Sequence, residues 1–512
     1  MNSPLFSIMK NSIDETTYHS AVESMIHQAQ QNQGEKHVFQ FAHPVASLKI
    51  IETHISWIIL TGQFAYKLKK PVRFDFVDYS DVSKRQTYCH REIDLNRRYA
   101  PEIYLDVCPI YKIDGRLIFG EVKDKTQNIQ PVEYAVKMRE FPQNCIAAAA
   151  LSTSKNSNQL VENFGRFLAD FHATADRADP SWSVVKPENV IHACRQNFDA
   201  LQGYAFGNVA TGQIDALHCW TEQQRTESEL LMKQRLNYGF VRRCHGDLHL
   251  ANIIIADNKL IPFDGIEFNP QFHWIDVFSE VAFVVMDLFA HGLENLGWRF
   301  LNAYFDATGH IQNIELLKFY LVYRALVRAK ITVMQMESGC DQSLQTLHQY
   351  LDTANRCAFQ VSSKLTITFG FSGSGKSTEA LKLIDSDGGI RIRSDVVRKA
   401  MPADIRYNEQ SINGVYSKLL DMAKSILTAG YSVVVDATFL QKRHRDEFQD
   451  LANDMQVEFR ILKCQAEFEE LAGRIQTRQN DPSEATLKVL KKQIAEHEPL
   501  NESEQRFVIA QV

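Results

Sequence analysis

Gly370-Phe371-Ser372-Gly373-Ser374-Gly375-Lys376-Ser377-Thr378 is the stretch that decides the carboxy-terminal part of the chain. It fits G-x-x-x-x-G-K-[ST], with an apolar run at 365–369 before it and a helix-forming run at 379–384 after it. Gly370, Gly373 and Gly375 let successive backbone N–H groups, with those of Ser374 and Thr378, converge on phosphate oxygens. The helix amino terminus adds partial positive charge. Lys376 is spaced to reach the β- and γ-phosphates of ATP, and the Ser377 hydroxyl to ligate Mg²⁺. Strand, glycine turn and helix in this order predict an α/β unit over 363–512.

Two further pieces lie downstream. In Ile392-Arg393-Ser394-Asp395-Val396-Val397-Arg398, an aspartate and an arginine three apart follow a strand and share one face of the next helix. Asp395 can accept the proton of an acceptor hydroxyl while Arg398 holds an anionic group. Ser432-Val433-Val434-Val435-Asp436 is an apolar strand ending in a carboxylate placed to serve the Mg²⁺ shell. A helical stretch over 471–493 carries Arg474 and Arg478 at i and i+4, two guanidinium groups that a closing lid could bring to a transferring phosphoryl group. A solvated basic face is the competing account of that pair.

GFSGSGKST, S-D-x-x-R, VVVDATF followed by Arg445, and R-x-x-x-R with Asp481, Ser483, Glu484 and Ala485 resemble the P-loop kinases related to polynucleotide 5′-kinases, zeta toxins and chloramphenicol phosphotransferases. The resemblance covers 364–512. It implies Asp395 as general base, Arg398 as substrate contact, and Arg474 and Arg478 as lid arginines. It leaves the acceptor open, because that group phosphorylates nucleic-acid ends, sugar nucleotides and drugs.

Upstream, His245-Gly246-Asp247-Leu248-His249-Leu250-Ala251-Asn252 has the spacing of a kinase catalytic loop. Asp247 would orient or deprotonate the hydroxyl, and Asn252 would bind Mg²⁺. Asp264, in Pro262-Phe263-Asp264-Gly265, follows a short strand at the position of a metal-binding aspartate. Ala65-Tyr66-Lys67-Leu68-Lys69 offers the nucleotide-binding lysine. Period-two alternation puts both lysines on one face, with Lys67 preferred. Glu92, in a helical stretch over 83–99, is its expected partner. Three neighbours have quieter roles: His249 is expected to bond a backbone carbonyl, Asp276 to brace the loop or cap a helix, and Cys244 to be a small buried residue.

HGDLHxxN with a later D-G aspartate resembles the aminoglycoside phosphotransferase and choline kinase-like group. YKLKKPVRF, REIDLNRR, YAVKM, CHGDLHLANI and PFDGIEFNP, followed by a P-loop domain, are similar to bacterial proteins described as fused aminoglycoside phosphotransferase and ATP-binding proteins. That resemblance spans nearly the whole chain. It implies a two-lobed α+β protein kinase-like domain over 1–357 and an α/β P-loop kinase domain over 363–512. Two departures stand out. No G-x-G-x-x-G precedes Lys67, where Leu60-Thr61-Gly62 offers a simpler turn, and Glu267 is an extra carboxylate in Gly265-Ile266-Glu267.

Composition bounds the partners. A chain of 512 residues predicts more than one domain, and 45% hydrophobic with 23% charged residues is globular. The nine cysteines form no C-x-x-C pair, which speaks against zinc and disulfide frameworks and for a reducing, cytoplasmic setting. The longest apolar stretch, 281–293, is interrupted by Asp287 and His291, so no membrane partner is expected. Residues 364–512 hold 21 Lys and Arg against 22 Asp and Glu, a balance of −1. A long polyanion would favour a basic excess, so the expected partner is a small-molecule hydroxyl acceptor, with short nucleic-acid ends as the alternative for the carboxy-terminal site. A regulatory protein with a single active site is the other alternative.

Overall fold

The computed structural model describes residues 23–31, 38–74, 77–121, 129–202, 208–337, 344–359, 363–399, 409–477 and 486–509. The chain divides into two compact units. The first comprises Met1–Ser154, Asp176–Gly207 and Leu236–Glu280, and the second Lys155–Ala175, Asn208–Arg235 and Val281–Val512. The second unit therefore takes in helices that precede the P-loop in sequence.

In the first unit, α1 (Glu23–Gln31) precedes β1 (Phe39–Phe41), β2 (Lys49–Glu52), β3 (Ser56–Leu60) and β4 (Phe64–Lys69). The short β5 (Arg73–Phe74) and β6 (Val77–Asp78) pair with each other before α2 (Val82–Asn96). Then come β7 (Tyr104–Ile113), β8 (Arg116–Phe119) and β9 (Glu133–Arg139). The sheet order is β1-β8-β7-β9-β4-β3-β2. Alternation along β4 decides its two faces. Tyr66 and Leu68 join Trp57, Ile59, Ile110 and Met25 and Ile26 of α1 in one core cluster. Ala65 turns the other way, to Cys89 and Ile93 of α2, with Val136 and Tyr104. Lys67 and Lys69 share that second face. β10 (Val241–Arg243) pairs antiparallel with β13 (Trp274–Asp276), and β11 (Ile253–Ala256) forms a hairpin with β12 (Lys259–Pro262).

The helices α3 (Ser157–Thr174), α4 (Pro187–Gln202), α5 (Asn208–Asn237), α6 (Val277–Ala290), α7 (Glu294–Thr308), α8 (Glu315–Glu337) and α9 (Leu344–Phe359) account for the helical middle of the chain. Leu160, Phe164 and Leu168 of α3 recur every four residues and are buried, while Phe167 is 39% exposed. It sits at the rim of the buried arc, whose centre lies nearer Val161 and Gly165. No described helix is long and apolar enough to cross a membrane.

The P-loop part of the second unit is a parallel sheet of β14 (Lys364–Phe369), β15 (Ile390–Arg393), β16 (Val433–Asp436), β17 (Glu458–Lys463) and β18 (Val508–Ile509). The strand order is β15-β16-β14-β17-β18. Its helices are α10 (Lys376–Asp387), α11 (Ser394–Lys399), α12 (Glu409–Thr428), α13 (Lys442–Asp454), α14 (Phe468–Thr477) and α15 (Leu487–Glu496). The helical stretch expected over 471–493 is interrupted: Thr486 has extended backbone and caps α15 through the Val489 N–H. β14 leads through the glycine loop into α10, β15 leads directly into α11, and β16 ends at Asp436, so the glycine loop, Asp395 and Asp436 gather at the carboxyl edge of the sheet, where ligands collect in open α/β folds.

Candidate active sites

In the first unit the two lysines of β4 separate by their partners. Lys67 Nζ donates to Glu92 Oε1 at 2.9 Å and to Asp264 Oδ1 at 2.5 Å. Lys69 Nζ donates to Glu92 Oε2 at 2.7 Å and to Glu267 Oε1. The Tyr79 hydroxyl donates to the same Glu267 oxygen at 3.0 Å. Glu92 thus bridges both ammonium groups, one per oxygen. Glu267, which sequence reasoning could not assign, is the counter-charge of the inner lysine.

Burial by itself lowers the Lys67 pKa, but the carboxylates of Asp264 and Glu92 outweigh it and raise the pKa well above the usual lysine range. Lys69 behaves alike, through Glu267 and Glu92. Burial pushes Glu92 up, yet the Lys67 and Lys69 ammonium groups bring it down to about 2. Burial prevails at Glu267, whose carboxyl is raised despite Lys69. The Thr61-Gly62 turn does not stand open for phosphate: both N–H groups donate to Glu140 Oε2, at 3.0 and 2.7 Å.

The catalytic-loop stretch follows β10. Gly246 has φ +90°, and a Cβ there would lie 2.3 Å from the Phe272 carbonyl oxygen, so the turn demands glycine. Glu280 Oε1 accepts from the His245 N–H at 2.6 Å, and His245 Nε2 lies 2.9 Å from the Phe263 carbonyl oxygen. Asn252 Nδ2 donates to Asp247 Oδ2 at 2.9 Å and to its backbone oxygen at 3.0 Å. The β11–β12 hairpin then returns the chain: the Phe263 N–H donates to the Asn252 carbonyl at 2.9 Å, which sets Asp264 beside the loop. Asp264 itself has φ +62°, a left-handed conformation costing about 1–2 kcal/mol for a residue with Cβ. The Tyr104 hydroxyl accepts its N–H at 2.8 Å, and Asn96 Oδ1 accepts that of Gly265 at 2.7 Å.

His249 accepts the Ala251 N–H through Nδ1 at 3.2 Å, and its Nε2 lies 3.4 Å from Asp247 Oδ2. Asp276 Oδ1 accepts the Phe278 N–H at 2.8 Å, the cap position for α6. Cys244 is fully buried, and that burial raises its thiol well above the usual range.

A cleft of about 630 Å³ in the second unit is lined by the loop 372–379 together with Asp395, Arg398, Asp436 and Arg474. Gly375, with φ +84°, opens α10. The Ser377 hydroxyl donates to Asp436 Oδ2 at 2.7 Å, and Arg398 Nη1 to Asp395 Oδ1 at 2.8 Å. Lys376 Nζ donates to the Phe371 carbonyl at 2.6 Å, and Arg474 Nη1 to that of Gly373 at 3.2 Å. Arg478 lies outside the described residues. Arg445 lies apart from these groups and is buried: it pairs with Glu504 at 2.6 Å and donates to the carbonyls of Phe439, Glu498 and Pro499.

Three cleft residues were not foreseen. Gln493 of α15 accepts from the Ser372 N–H at 3.0 Å and donates to its hydroxyl at 3.1 Å. Tyr416 and His444 stack with ring centroids 3.8 Å apart. No local spacing marks any of them.

Both sites offer hard oxygen donors of the kind Mg²⁺ takes: the joined Ser377 hydroxyl and Asp436 carboxylate, and the Asp264 carboxylate near Asn252.

Burial lowers three histidines: His245, and His273 and His444 to about 4 each, with Arg443 adding to the effect at His444. Their folded pKa values lie below the ordinary 6.5, so the stability they contribute is present above about pH 6.5 and lost as pH falls, toward about 4 for His273 and His444. Melting temperature should therefore drop between pH 7.5 and pH 5. The drop should shrink in His273→Gln, which retains a polar partner for the Ile266 carbonyl, 2.8 Å from His273 Nδ1. An unchanged drop would rule out His273 as a contributor.

Residues 143–308 match the family model of the phosphotransferase enzyme family, and residues 365–500 match that of the AAA domain. Proteins of Mycobacterium tuberculosis and Mycobacterium bovis, both named only as uncharacterized, are each 27% identical over 463 residues, covering 88% of this chain and 90% of their own. Among solved structures, a choline kinase from Streptococcus pneumoniae aligns with 66% of this chain and 99% of its own, at 12% identity and TM-score 0.38. A gluconokinase from Sinorhizobium meliloti aligns with 29% of this chain and 81% of its own, at 18% identity and TM-score 0.23.

Proposed function

We propose that this kinase, which carries a phosphotransferase-family domain ahead of a P-loop kinase-like domain, has two ATP-dependent sites. Each transfers the γ-phosphoryl group of ATP to a hydroxyl group of a small molecule. The catalytic segments are 1–357 and 363–512. The observation that carries the reading, for the P-loop site, is that one cleft is lined by Lys376, Ser377, Asp436, Asp395 and Arg398 together. It holds a phosphate cradle, a pair of hard oxygen donors, and a carboxylate beside a guanidinium.

In the P-loop site, the loop N–H groups and Lys376 hold the phosphates, and Ser377 with Asp436 would hold Mg²⁺. Bound there, the metal neutralises charge on the β- and γ-oxygens. Asp395 takes the proton of the acceptor hydroxyl, Arg398 orients the acceptor, and Arg474 stands at the loop as a lid arginine, with Arg478 assigned alongside it from sequence. In the other site Lys67, fixed by Glu92, holds the phosphates. Asp264 and Asn252 would hold the metal, and Asp247 receives the hydroxyl proton. The cleft mixes Arg398, Arg474 and Lys492 with Glu470 and Glu496, which favours a small polar acceptor over a long polyanion.

ADP release by wild type, Asp247→Ala and Asp395→Ala should be screened against aminoglycosides, sugars, nucleosides and 5′-hydroxyl oligonucleotides. Each variant should lose a different acceptor. Lys376→Ala should lower calorimetric ATP stoichiometry from about two to about one, because alanine removes the ammonium point charge that the loop sets toward the phosphates. A wild-type stoichiometry of one would refute the two-site reading.

A further inference from the structure

We propose that Asp306, on α7 and far upstream of the P-loop in sequence, is a positioning residue for the Ser377–Asp436 pair. The inference rests on the assignment of the P-loop cleft as a metal–nucleotide site. Within the second unit, one face of α7 reaches into the P-loop sheet through residues three and four apart, the spacing that aligns side chains along a helix. Arg299 grips Asp385 through two bonds of 2.6 Å. Asn302, fully buried, accepts the Arg391 N–H at 2.5 Å and donates to the Gly389 carbonyl at 2.9 Å. Asp306 follows on the same face.

Two guanidinium groups connect Asp306 to the metal-binding pair. Asp306 Oδ2 lies 2.5 Å from Arg391 Nη2 and 3.6 Å from Arg393 Nη1. On the far side, Arg393 Nε is 3.4 Å from Asp436 Oδ2, its Nη2 donates to Ser377 Oγ at 3.4 Å, and Arg391 Nη1 donates to the Ser377 carbonyl at 3.2 Å. Arg391, Arg393 and Asp436 are 6%, 10% and 6% exposed and Asp306 is 20% exposed, so water screens the two arginines and Asp436 least.

The charge of Arg393 is thus shared between two carboxylates. With Asp306 in place, Asp436 keeps negative potential for a hard cation. Neutralising Asp306 shifts more of that guanidinium charge onto Asp436, where it competes with Mg²⁺ for the same oxygen. Groups behind a metal ligand set its orientation and basicity in this way.

The test is calorimetric ADP binding to the full chain, with and without Mg²⁺, in an Asp264→Ala background that silences metal-dependent binding at the other site. With Asp306 intact, Mg²⁺ should strengthen binding. Asp306→Asn should lose roughly ten- to a hundredfold of that gain while binding in chelator stays the same. Asp306→Glu, which keeps the charge, should retain most of it, and serves also if the asparagine variant fails to fold. Arg299→Ala, which loosens the same helix from Asp385, should leave the Mg²⁺ gain unchanged. Equal weakening of Asp306→Asn with and without Mg²⁺, or loss of the gain in Arg299→Ala, would show mere packing and overturn the assignment. Absence of any Mg²⁺ gain before Asp306 is changed would refute the metal–nucleotide reading of the cleft, and the inference with it.

Discussion

Asp395→Asn is expected to cut turnover at the P-loop site by roughly two to four orders of magnitude, the range for a positioned general base, with ATP affinity spared. The argument is geometric. β15 ends at Arg393, and Asp395 stands in the first turn of α11, facing the same cleft as the glycine loop. Arg398 Nη1 lies 2.8 Å from its Oδ1, which orients the carboxylate within the cleft. Asparagine preserves shape and a hydrogen-bond acceptor for Arg398 but takes no proton. Arg398→Ala should mainly raise the acceptor KM. If the carboxylate served only the first turn of α11, the asparagine variant would melt earlier yet turn over normally per folded molecule. That result would sink the catalytic assignment.

The second large effect falls on folding. Glu92→Ala should destabilise the first unit by about 3–5 kcal/mol, the usual loss when one partner of a buried ion pair is removed. Glu92 is fully buried between Lys67, 12% exposed, and Lys69, 1% exposed, and each lysine takes one of its oxygens. Its removal leaves two ammonium groups with Asp264 and Glu267 alone among the carboxylates of this cluster. Urea unfolding followed at this unit should show the loss as a lower midpoint. Replacing Lys69 and Glu267 together by Met and Leu should cost far less than either change singly, because charge and counter-charge leave at once. A Glu92→Ala midpoint equal to wild type would mean that water, not the carboxylate, solvates the lysines.

What was legible in the sequence is what is local. The loop 370–378, the Asp395–Arg398 pair and the Asp247–Asn252 spacing each fit within a turn or two, so the residues that meet are neighbours in the chain. The choice between Lys67 and Lys69 was not local. Alternation puts both on one face, and only the partners Asp264 and Glu267, 197 and 198 residues away, tell them apart. Glu140 lies 78 residues from the turn it closes, and Asp306 lies 85 from Arg391. Helix existence was legible on α3, but not that Phe167 would fall at the rim. Reading 471–493 as one helix gives too little weight to Pro482, which breaks helices, and to Thr486, a favoured amino-terminal cap.

Asn302 and Arg299 also bear on how such chains can be recombined. A fusion point placed between residues 357 and 363 looks neutral, since it falls between the two family matches. Yet Asn302 closes the Gly389 carbonyl and the Arg391 N–H at the edge strand, and Arg299 neutralises Asp385. A P-loop segment transplanted onto another phosphotransferase would arrive with that strand edge uncovered and an acidic residue uncompensated. The inherited unit is therefore longer than the motif that identifies it: exchange between relatives keeps its packing only when α7 travels with the sheet it caps.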